Sequence, residues 1–127
     1  MKILNPETVV KPASNYAQAV VHSAAAERML ISGQLGLRPD GSLEEGLERQ
    51  MERAWSNLFS ILEAGGFERE HLVRATIYVT VPGSVAIYRA VRDRMLDGHV
   101  CANTYIEISA LAAPELLVEI EAEAVKE

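Results

Sequence analysis

Cysteine is almost absent from the chain, and the sequence features of a secretory signal peptide are missing. Cys101 is the only cysteine among 127 residues, which excludes an intramolecular disulfide and a cysteine-based metal cluster. The opening residues, "MKILNPETVV", contain no apolar signal region and no small-residue cleavage site. No stretch is long and apolar enough to span a bilayer. We therefore expect a protein of the reducing cytoplasm that does not enter a membrane.

Basic residues are also fewer than acidic ones. The chain has 12 basic and 18 acidic residues, a net charge of -6, and its arginines are scattered along the sequence. A negative field of this kind repels the phosphate backbone of nucleic acids. We expect no nucleic acid partner, and small molecules or other proteins are better candidates.

The general signatures of catalysis are missing as well. The sequence has no G-x-G-x-x-G, P-loop, H-E-x-x-H or G-x-S-x-G motif. Three histidines, His22, His71 and His99, lie far apart in sequence and lack the spacing of metal ligands. We expect no metal site, and these histidines are better explained as surface or internally bonded polar groups.

Two amphipathic helices are present in a chain that has no internal repeat and no linker, which indicates one domain over residues 1–127. The first helix is predicted to begin at the capping box formed by Ser42 and Glu45 and to end at Gly65. Its apolar residues recur at spacings of three and four and form one stripe, which core packing explains better than a cofactor groove. The stripe consists of Leu43, Leu47, Met51, Ala54, Trp55, Leu58 and Leu62.

The second helix follows Pro82 and Gly83, and we expect it to bury Ile87, Ala90, Val91 and Met95. Strands fill the rest of the chain. The segments "QAVVHSA" and "RMLISGQLGL" are predicted to pair as a hairpin, and three further strands begin near Leu72, Asn103 and Glu115. The pattern indicates an α+β sandwich in the order βββαβαββ, with two helices on one face of a six-stranded mixed sheet.

The last strand carries a row of carboxylates. Glu119, Glu121 and Glu123 alternate with apolar residues and therefore share one strand face at intervals of about 7 Å. If they are partly buried, like charges at this distance raise one another's pKa, and such a carboxyl can transfer protons near neutrality. A solvated strand face explains the same pattern, and the residues alone leave both interpretations open.

Five segments in the same order along the chain resemble the RidA family, also called YjgF. They are "NYAQAV" from Asn15, "LISGQLGL" from Leu30, "LEAGG" from Leu62, "VRATIYVT" from Val73, and "IEISALAAPELLVEIEAEAV" from Ile106. Members of this family are small trimeric enamine and imine deaminases with a chorismate-mutase-like fold. The resemblance implies a homotrimer with a small-molecule cleft between subunits.

The resemblance also implies the residues of that cleft. Tyr16 would close the pocket, a turn formed by Ser32, Gly33 and Gln34 would help to hold the ligand, and Glu119 would position or activate water. No metal or organic cofactor is implied, because water and a carboxyl suffice for imine hydrolysis.

One position departs from the family. The usual pattern on the fifth strand is Pro-Ala-Arg followed by Ser or Thr, and here the chain reads Cys101-Ala102-Asn103-Thr104. A neutral amide in place of the arginine forfeits a few kcal/mol of carboxylate binding, on the order of a hundredfold in affinity. Asn103 and Thr104 are then expected to orient a different ligand. If a carboxylate is bound, the arginines to consider are Arg28, Arg74 and Arg89.

The sequence therefore predicts a RidA-like protein that hydrolyses an imine or enamine and releases ammonia, on a substrate other than the usual small 2-imino acids. A ring-opened amino acid from aromatic catabolism would be one example. The alternative is a non-catalytic protein of the same fold that binds a metabolite. The family's older label of ribonuclease and translation inhibitor is disfavoured by the net charge of -6.

Overall fold

The computed structural model describes residues 1–24 and 26–127. Two α-helices pack on one face of a mixed sheet, which confirms the predicted α+β architecture and the order βββαβαββ. A short 3-10 helix at Arg69–His71 precedes the fourth strand. The elements are β1 (Lys2–Leu4), β2 (Ala19–Val21), β3 (Glu27–Leu35), α1 (Leu47–Ala64), β4 (Leu72–Val79), α2 (Val85–Leu96), β5 (Ala102–Glu107) and β6 (Val118–Lys126).

The six strands divide between two sheets. The main sheet has the order β3-β6-β4-β5, in which β4 and β5 are parallel and the other neighbours are antiparallel. The predicted hairpin of β2 with β3 is wrong, because β2 pairs with β1 and β3 pairs with the C-terminal strand β6. Alternation of apolar residues determines which face of a strand is buried, but it does not select the neighbouring strand.

The helix α1 begins later than its capping box predicted. Gly46, with φ of 81°, is the N-cap residue, and Leu47 is the first helical residue. Ser42 instead belongs to the preceding turn, where its hydroxyl donates a hydrogen bond of 2.6 Å to Asp40. That bond, together with one from the backbone N–H of Ser42, lowers the pKa of Asp40. The predicted apolar stripe is buried from Leu47 onward, at Met51, Ala54, Trp55, Leu58 and Leu62.

The core lies between the helices and the main sheet. On the sheet side it is formed by alternate residues of the two central strands, which are Ala75, Ile77 and Val79 of β4 and Val118, Ile120, Ala122 and Ala124 of β6. Each large apolar side chain that is fully buried there contributes about 1.5–3 kcal/mol. No α-helix within the described ranges combines the length and the apolarity that crossing a bilayer requires.

The opposite face of the main sheet, called the open face below, is not covered by the helices. The predicted carboxylate row lies on it, since Glu119, Glu121 and Glu123 pair in register with Tyr78, Thr76 and Arg74 of β4. The hydroxyl of Tyr78 donates a hydrogen bond of 2.8 Å to Glu121, and that bond raises the pKa of Tyr78.

The buried face of α2 differs from the prediction by one position. Ile87 and Ala90 are exposed, whereas Tyr88, Val91, Arg92 and Leu96 are buried. Residues 88, 91, 92 and 96 also fit helical spacing, although an arginine is seldom fully buried. This rotation of α2 about its axis buries the guanidinium group of Arg92.

Candidate functional site

A pocket of about 340 Å³ lies between α2 and the edge strand β5. Three of the residues predicted for the ligand cleft, Tyr16, Asn103 and Thr104, line it together. Its volume is in the range of small-molecule sites. The part of the predicted site that the sequence assigned to the N-terminal segment and the fifth strand is thus assembled within one chain.

The N-terminal segment reaches this pocket because it is tied to the outer edge of β5. The backbone N–H of Ala17 donates a hydrogen bond of 2.8 Å to the carbonyl of Cys101. The side-chain amide of Asn15 donates one of 3.0 Å to Asp93 on α2. These two contacts hold Tyr16, which lies between their donors in sequence, at the pocket wall.

The amide of Asn103 is directed into the protein. Its Oδ1 accepts a hydrogen bond of 3.3 Å from the hydroxyl of Tyr88, and its Nδ2 lies 3.2 Å from the carbonyl oxygen and 3.3 Å from the Sγ of Cys101. Burial raises the pKa of the Cys101 thiol to about 11, so the thiol stays neutral at physiological pH. The groups that Asn103 would use to orient a ligand are therefore already occupied.

The alternation of β5 separates neighbouring residues. Asn103 pairs with Ala75, which is buried under the helices, so its side chain is on the helix side of the sheet. Thr104 pairs with Thr76 and has its side chain on the open face. Asn103 and Thr104 border the same pocket but face opposite sides of the sheet.

A second tyrosine closes the end of the pocket near the start of α2. The ring of Tyr105 stacks on that of Tyr88 with 5.0 Å between centroids, and its hydroxyl donates a hydrogen bond of 2.6 Å to Glu107. Burial, together with this carboxylate, raises the pKa of Tyr105 to about 12. Glu107 also accepts hydrogen bonds from the backbone N–H groups of Gly83 and Ser84, so it fixes β5 to the start of α2.

Arg92, which the sequence did not indicate as a site residue, is fully buried beside the pocket. Its Nη1 donates a hydrogen bond of 3.0 Å to the hydroxyl of Tyr88, and its guanidinium carbon lies 4.9 Å from the centre of the Tyr88 ring. Because Tyr88 in turn donates to Asn103, the three side chains form one chain of hydrogen bonds. Helical spacing relative to Val91 and Leu96 is the signal in the sequence that is compatible with a buried residue 92.

Of the arginines named from the sequence, one lies at this pocket. Arg89 lines it together with Arg92. Arg28 forms an ion pair of 2.8 Å with Glu123 on β6, and Arg74 lines a different cavity, on the open face. Arg28 is thus remote from Asn103. Arg74 pairs with Ala102 beside Asn103, but its side chain lies on the opposite face of the sheet.

The other predicted residues form a second group at the pairing of β3 with β6. The register of these strands shifts between Ile31 and Gln34, so Ser32 and Gly33 lie in an irregularity of β3. The carboxylate of Glu119 lies directly over Gly33, where a Cβ atom would overlap it. A side chain at residue 33 would therefore displace the Glu119 carboxylate from this position. Gln34 closes the irregularity with a hydrogen bond of 3.0 Å from its Nε2 to the carbonyl of Ser32.

The two groups do not meet within one chain. The strand β4 lies between β6 and β5, which separates them by two strand spacings of about 4.8 Å each. Glu119 is on the open face, whereas Asn103 is on the helix side. Within the described ranges, no group of three or more His, Cys, Asp or Glu side chains is arranged to hold a metal ion.

Comparison with known proteins identifies the family. The model of the Endoribonuclease L-PSP family matches residues 7–126. The chain belongs to this family, the RidA/YjgF family. A RutC family protein from Aquifex aeolicus is 39% identical over 80 residues, which cover 62% of this chain and 61% of that protein. Protein DfrA from Myxococcus xanthus is 32% identical over 126 residues, which cover 98% of this chain and 95% of that protein.

A crystal structure of a Rid family protein of unknown function from Yersinia pestis has the same fold. It is 32% identical to this chain, with a TM-score of 0.87, and the superposition covers 97% of this chain and 96% of that one. The RidA-family assignment therefore rests on sequence and on structure, over nearly the whole chain.

Proposed function

We propose that this RidA-family protein hydrolyses the C=N bond of an imine, or of the enamine that is its tautomer, in a small-molecule cleft. The observation that carries the proposal is the position of Glu119. Its carboxylate lies over the backbone of Gly33 at the family's predicted turn, and among the described residues it accepts no hydrogen bond from the protein. A carboxylate without a protein partner is available to accept a proton from water.

The reaction needs one water and no cofactor. Glu119 accepts a proton from water as the oxygen adds to the imine carbon, and it returns that proton to the nitrogen as the C=N bond becomes a single bond, which gives the carbinolamine. Glu119 then accepts the proton of the carbinolamine hydroxyl as the C=O bond forms and the C–N bond breaks. That second proton passes to the departing nitrogen, so the products are a carbonyl compound and ammonia and the carboxylate is regenerated.

The inward orientation of Asn103 supports a substrate other than the usual small 2-imino acids. The resemblance implies that, in other family members, an arginine at this position binds the substrate carboxylate next to the C=N bond. Here both ends of the amide are occupied by Tyr88 and Cys101. A ring-opened amino acid from aromatic catabolism remains one example of a larger substrate.

The split between the two groups of site residues supports a cleft completed by a second copy of the chain. In this proposal, the protein is a homotrimer. Glu119 and the turn at Ser32–Gln34 of one subunit face Tyr16, Asn103 and Thr104 of its neighbour. Closed symmetric assemblies repeat such a contact at every boundary, so each trimer would contain three equivalent sites.

The test is release of ammonia from a panel of imines, measured by coupling to a dehydrogenase that consumes ammonia. The panel contains small 2-imino acids, longer imino acids, and imines without a carboxylate. Hydrolysis of a longer imine, faster than that of 2-iminopropionate, is the expected result. Absence of ammonia release across the panel would contradict the proposal and favour the second candidate, a non-catalytic protein that binds a metabolite in the same pocket.

Nucleic acid hydrolysis is a weaker candidate despite the family's name. Many arginines of this chain are matched to carboxylates, including Arg38 and Arg53 with Glu44, and Arg94 with Glu52. Basic side chains neutralised in this way leave little positive charge for a phosphate backbone.

A further inference from the structure

The pocket between α2 and β5 gathers tyrosines in a chain that has few aromatic residues. Aromatic residues make up 6% of the sequence, which contains four tyrosines. Tyr16, Tyr88 and Tyr105 all line this pocket, whereas Tyr78 lies on the open face of the sheet. Val85, an apolar side chain that is 37% exposed, lies in the same wall. Residues far apart in sequence thus form one aromatic surface, which favours a ligand with a flat apolar part.

Two of these rings form a wall that the protein holds in place. The rings of Tyr88 and Tyr105 stack with an angle of 22° between their planes. The hydroxyl of Tyr88 is bonded to Asn103 and Arg92, and that of Tyr105 donates to Glu107. Because both hydroxyls are bonded, neither ring can turn without breaking a hydrogen bond, so the wall is organised before a ligand binds. Tyr88 is only 3% exposed, so contact with a ligand falls to the half-buried Tyr105.

The third ring, that of Tyr16, reaches the pocket from a different element. Tyr16 is also half-buried, and its neighbours Asn15 and Ala17 fix it through their hydrogen bonds to α2 and to the segment before β5. A ligand in the pocket therefore meets tyrosine rings from the N-terminal segment and from β5. Pairs of aromatic rings strengthen an interaction by about two- to twelvefold beyond the burial of apolar area.

We propose that this pocket binds an aromatic ring of the substrate and that Tyr105 selects for that ring by stacking on it. The inference rests on the proposed function, since it names the substrate class of the same cleft, an imine that carries an aromatic ring. The ring takes no part in the reaction. The oxygen of water is added to the imine carbon and the nitrogen leaves as ammonia, so an imine of benzaldehyde gives benzaldehyde and ammonia without oxidation or reduction.

The test compares two neutral probes by fluorine NMR titration of the full-length protein. They are 4-fluorobenzamide and 4-fluorocyclohexanecarboxamide, which share the amide, the fluorine and the number of heavy atoms but differ in the flatness of the ring. The saturated ring is at least as apolar, so burial alone does not favour the flat one. We expect 4-fluorobenzamide to bind about threefold more tightly, or better. Equal binding of the two probes, tighter binding of the saturated one, or binding of neither would overturn the proposal.

Variants of β5 locate the contact. Tyr105→Leu removes the ring and should abolish the preference for the flat probe, whereas Tyr105→Phe keeps the ring and should keep the preference. Phe59→Leu is the matched control, because Phe59 stacks on Trp55 within α1 and does not line this pocket, and it should bind both probes as the wild type does. An unchanged preference for the flat probe in folded Tyr105→Leu would overturn the assignment.

The outcomes also separate this inference from the proposed function. If Tyr105→Leu does not fold, Tyr16→Leu is the substitute, and an undiminished preference for the flat probe in that variant would overturn the inference. Ammonia release is measured on the imine of benzaldehyde, which an amine oxidase generates from benzylamine in the assay, against its uncatalysed hydrolysis. A preference for the flat probe without catalysed ammonia release from any imine would support the aromatic site and contradict the hydrolase. Catalysed release from aliphatic imines, with no preference for the flat probe, would contradict the aromatic site alone.

Discussion

At the scale of single residues, Glu119 is the group whose removal discriminates most sharply between a catalytic and a structural carboxylate. Glu119→Gln keeps the size of the side chain over Gly33 but cannot accept a proton. On the panel substrate that the wild type hydrolyses, turnover should fall by about 10²–10⁴, the usual contribution of a general acid or base. KM should change little, because the amide still fills the same space.

The matched control is Glu121, two residues along the same face of β6. Glu121 already accepts a hydrogen bond from Tyr78, so Glu121→Gln should change turnover much less. Equal turnover of Glu119→Gln and the wild type would assign Glu119 to an ordinary solvated strand face.

A second prediction at this scale concerns alkaline pH. The pKa of Cys101 is raised by burial from 9.0 to about 11, and that of Tyr105, by burial and by Glu107, from 10.0 to about 12. A group with a raised pKa in the folded state contributes stability that is present below the unfolded pKa and is lost as pH rises through the folded one. The free energy of unfolding should therefore decline from pH 9 upward.

Urea denaturation at half-unit steps between pH 8 and pH 11.5 measures this decline. Cys101 should account for about 1 kcal/mol for each pH unit between 9.0 and about 11. Cys101→Ala should be less stable than the wild type at pH 8 and should lose less stability as pH rises over that interval. Parallel curves for the two proteins would show that the thiol does not ionise differently on unfolding.

Single residues also show which features of the site could be predicted from the sequence. The alternation of side chains along a strand, which can be read from the sequence, puts Asn103, Tyr105 and Glu107 on one face of β5. It could not show that Asn103 is bonded to Tyr88, because that contact depends on the rotation of α2 about its axis. The roles of the predicted site residues remain predictions that the variants above test.

At the scale of elements, α1 is anchored by a buried amide that the apolar stripe does not reveal. The side chain of Gln50 is 2% exposed. It donates hydrogen bonds to the carbonyls of Glu44 and Glu115 and accepts one of 2.9 Å from the backbone N–H of Leu117. One side chain thus joins the start of α1 to the segment that leads into β6.

Gln50→Ala should destabilise the protein by about 1–3 kcal/mol for each buried backbone group that loses its partner and is not rehydrated. The midpoint of urea denaturation at pH 7 measures the loss. Arg49→Ala is the control, since Arg49 is the exposed neighbour in the same turn and should change stability by about 0.5 kcal/mol or less. A loss for Gln50→Ala no larger than that of the control would contradict an anchoring role.

The two helices illustrate which element boundaries a sequence determines. The stripe of α1 was recognised because it is apolar throughout. The predicted start of α1 was wrong, because Ser42 forms a hydrogen bond with Asp40 in a turn as readily as it caps a helix. The face of α2 was misassigned because helical spacing admits both Ile87 and Tyr88 as buried positions, and only tertiary packing decides between them.

At the scale of the whole molecule, the separation of the two groups of site residues predicts the assembly. Light scattering coupled to size exclusion should report three times 13.9 kDa at micromolar concentration. A stable monomer would contradict both the homotrimer and the cleft shared between subunits.

Mixed assemblies test the shared cleft directly. Glu119→Gln and Tyr16→Ala should each be nearly inactive alone. After unfolding and refolding as an equal mixture, roughly a quarter of the boundaries combine two intact halves, and activity should recover to about that fraction. No recovery in trimers that are shown to be mixed would place both residues in a site made by one subunit.

The bond between Ala17 and Cys101 has a consequence for how the chain avoids aggregation. A parallel strand at the border of a sheet offers unpaired backbone groups on which another chain can add a strand. In β5, the N-terminal segment covers that border at Ala102, where it forms a single bridge with Ala17. Removing residues 1–17 would uncover the whole border, and the truncated protein should then elongate into fibres with increased thioflavin fluorescence. Unchanged thioflavin fluorescence in the truncated protein would show that the single bridge at Ala102 does not limit strand addition at this border.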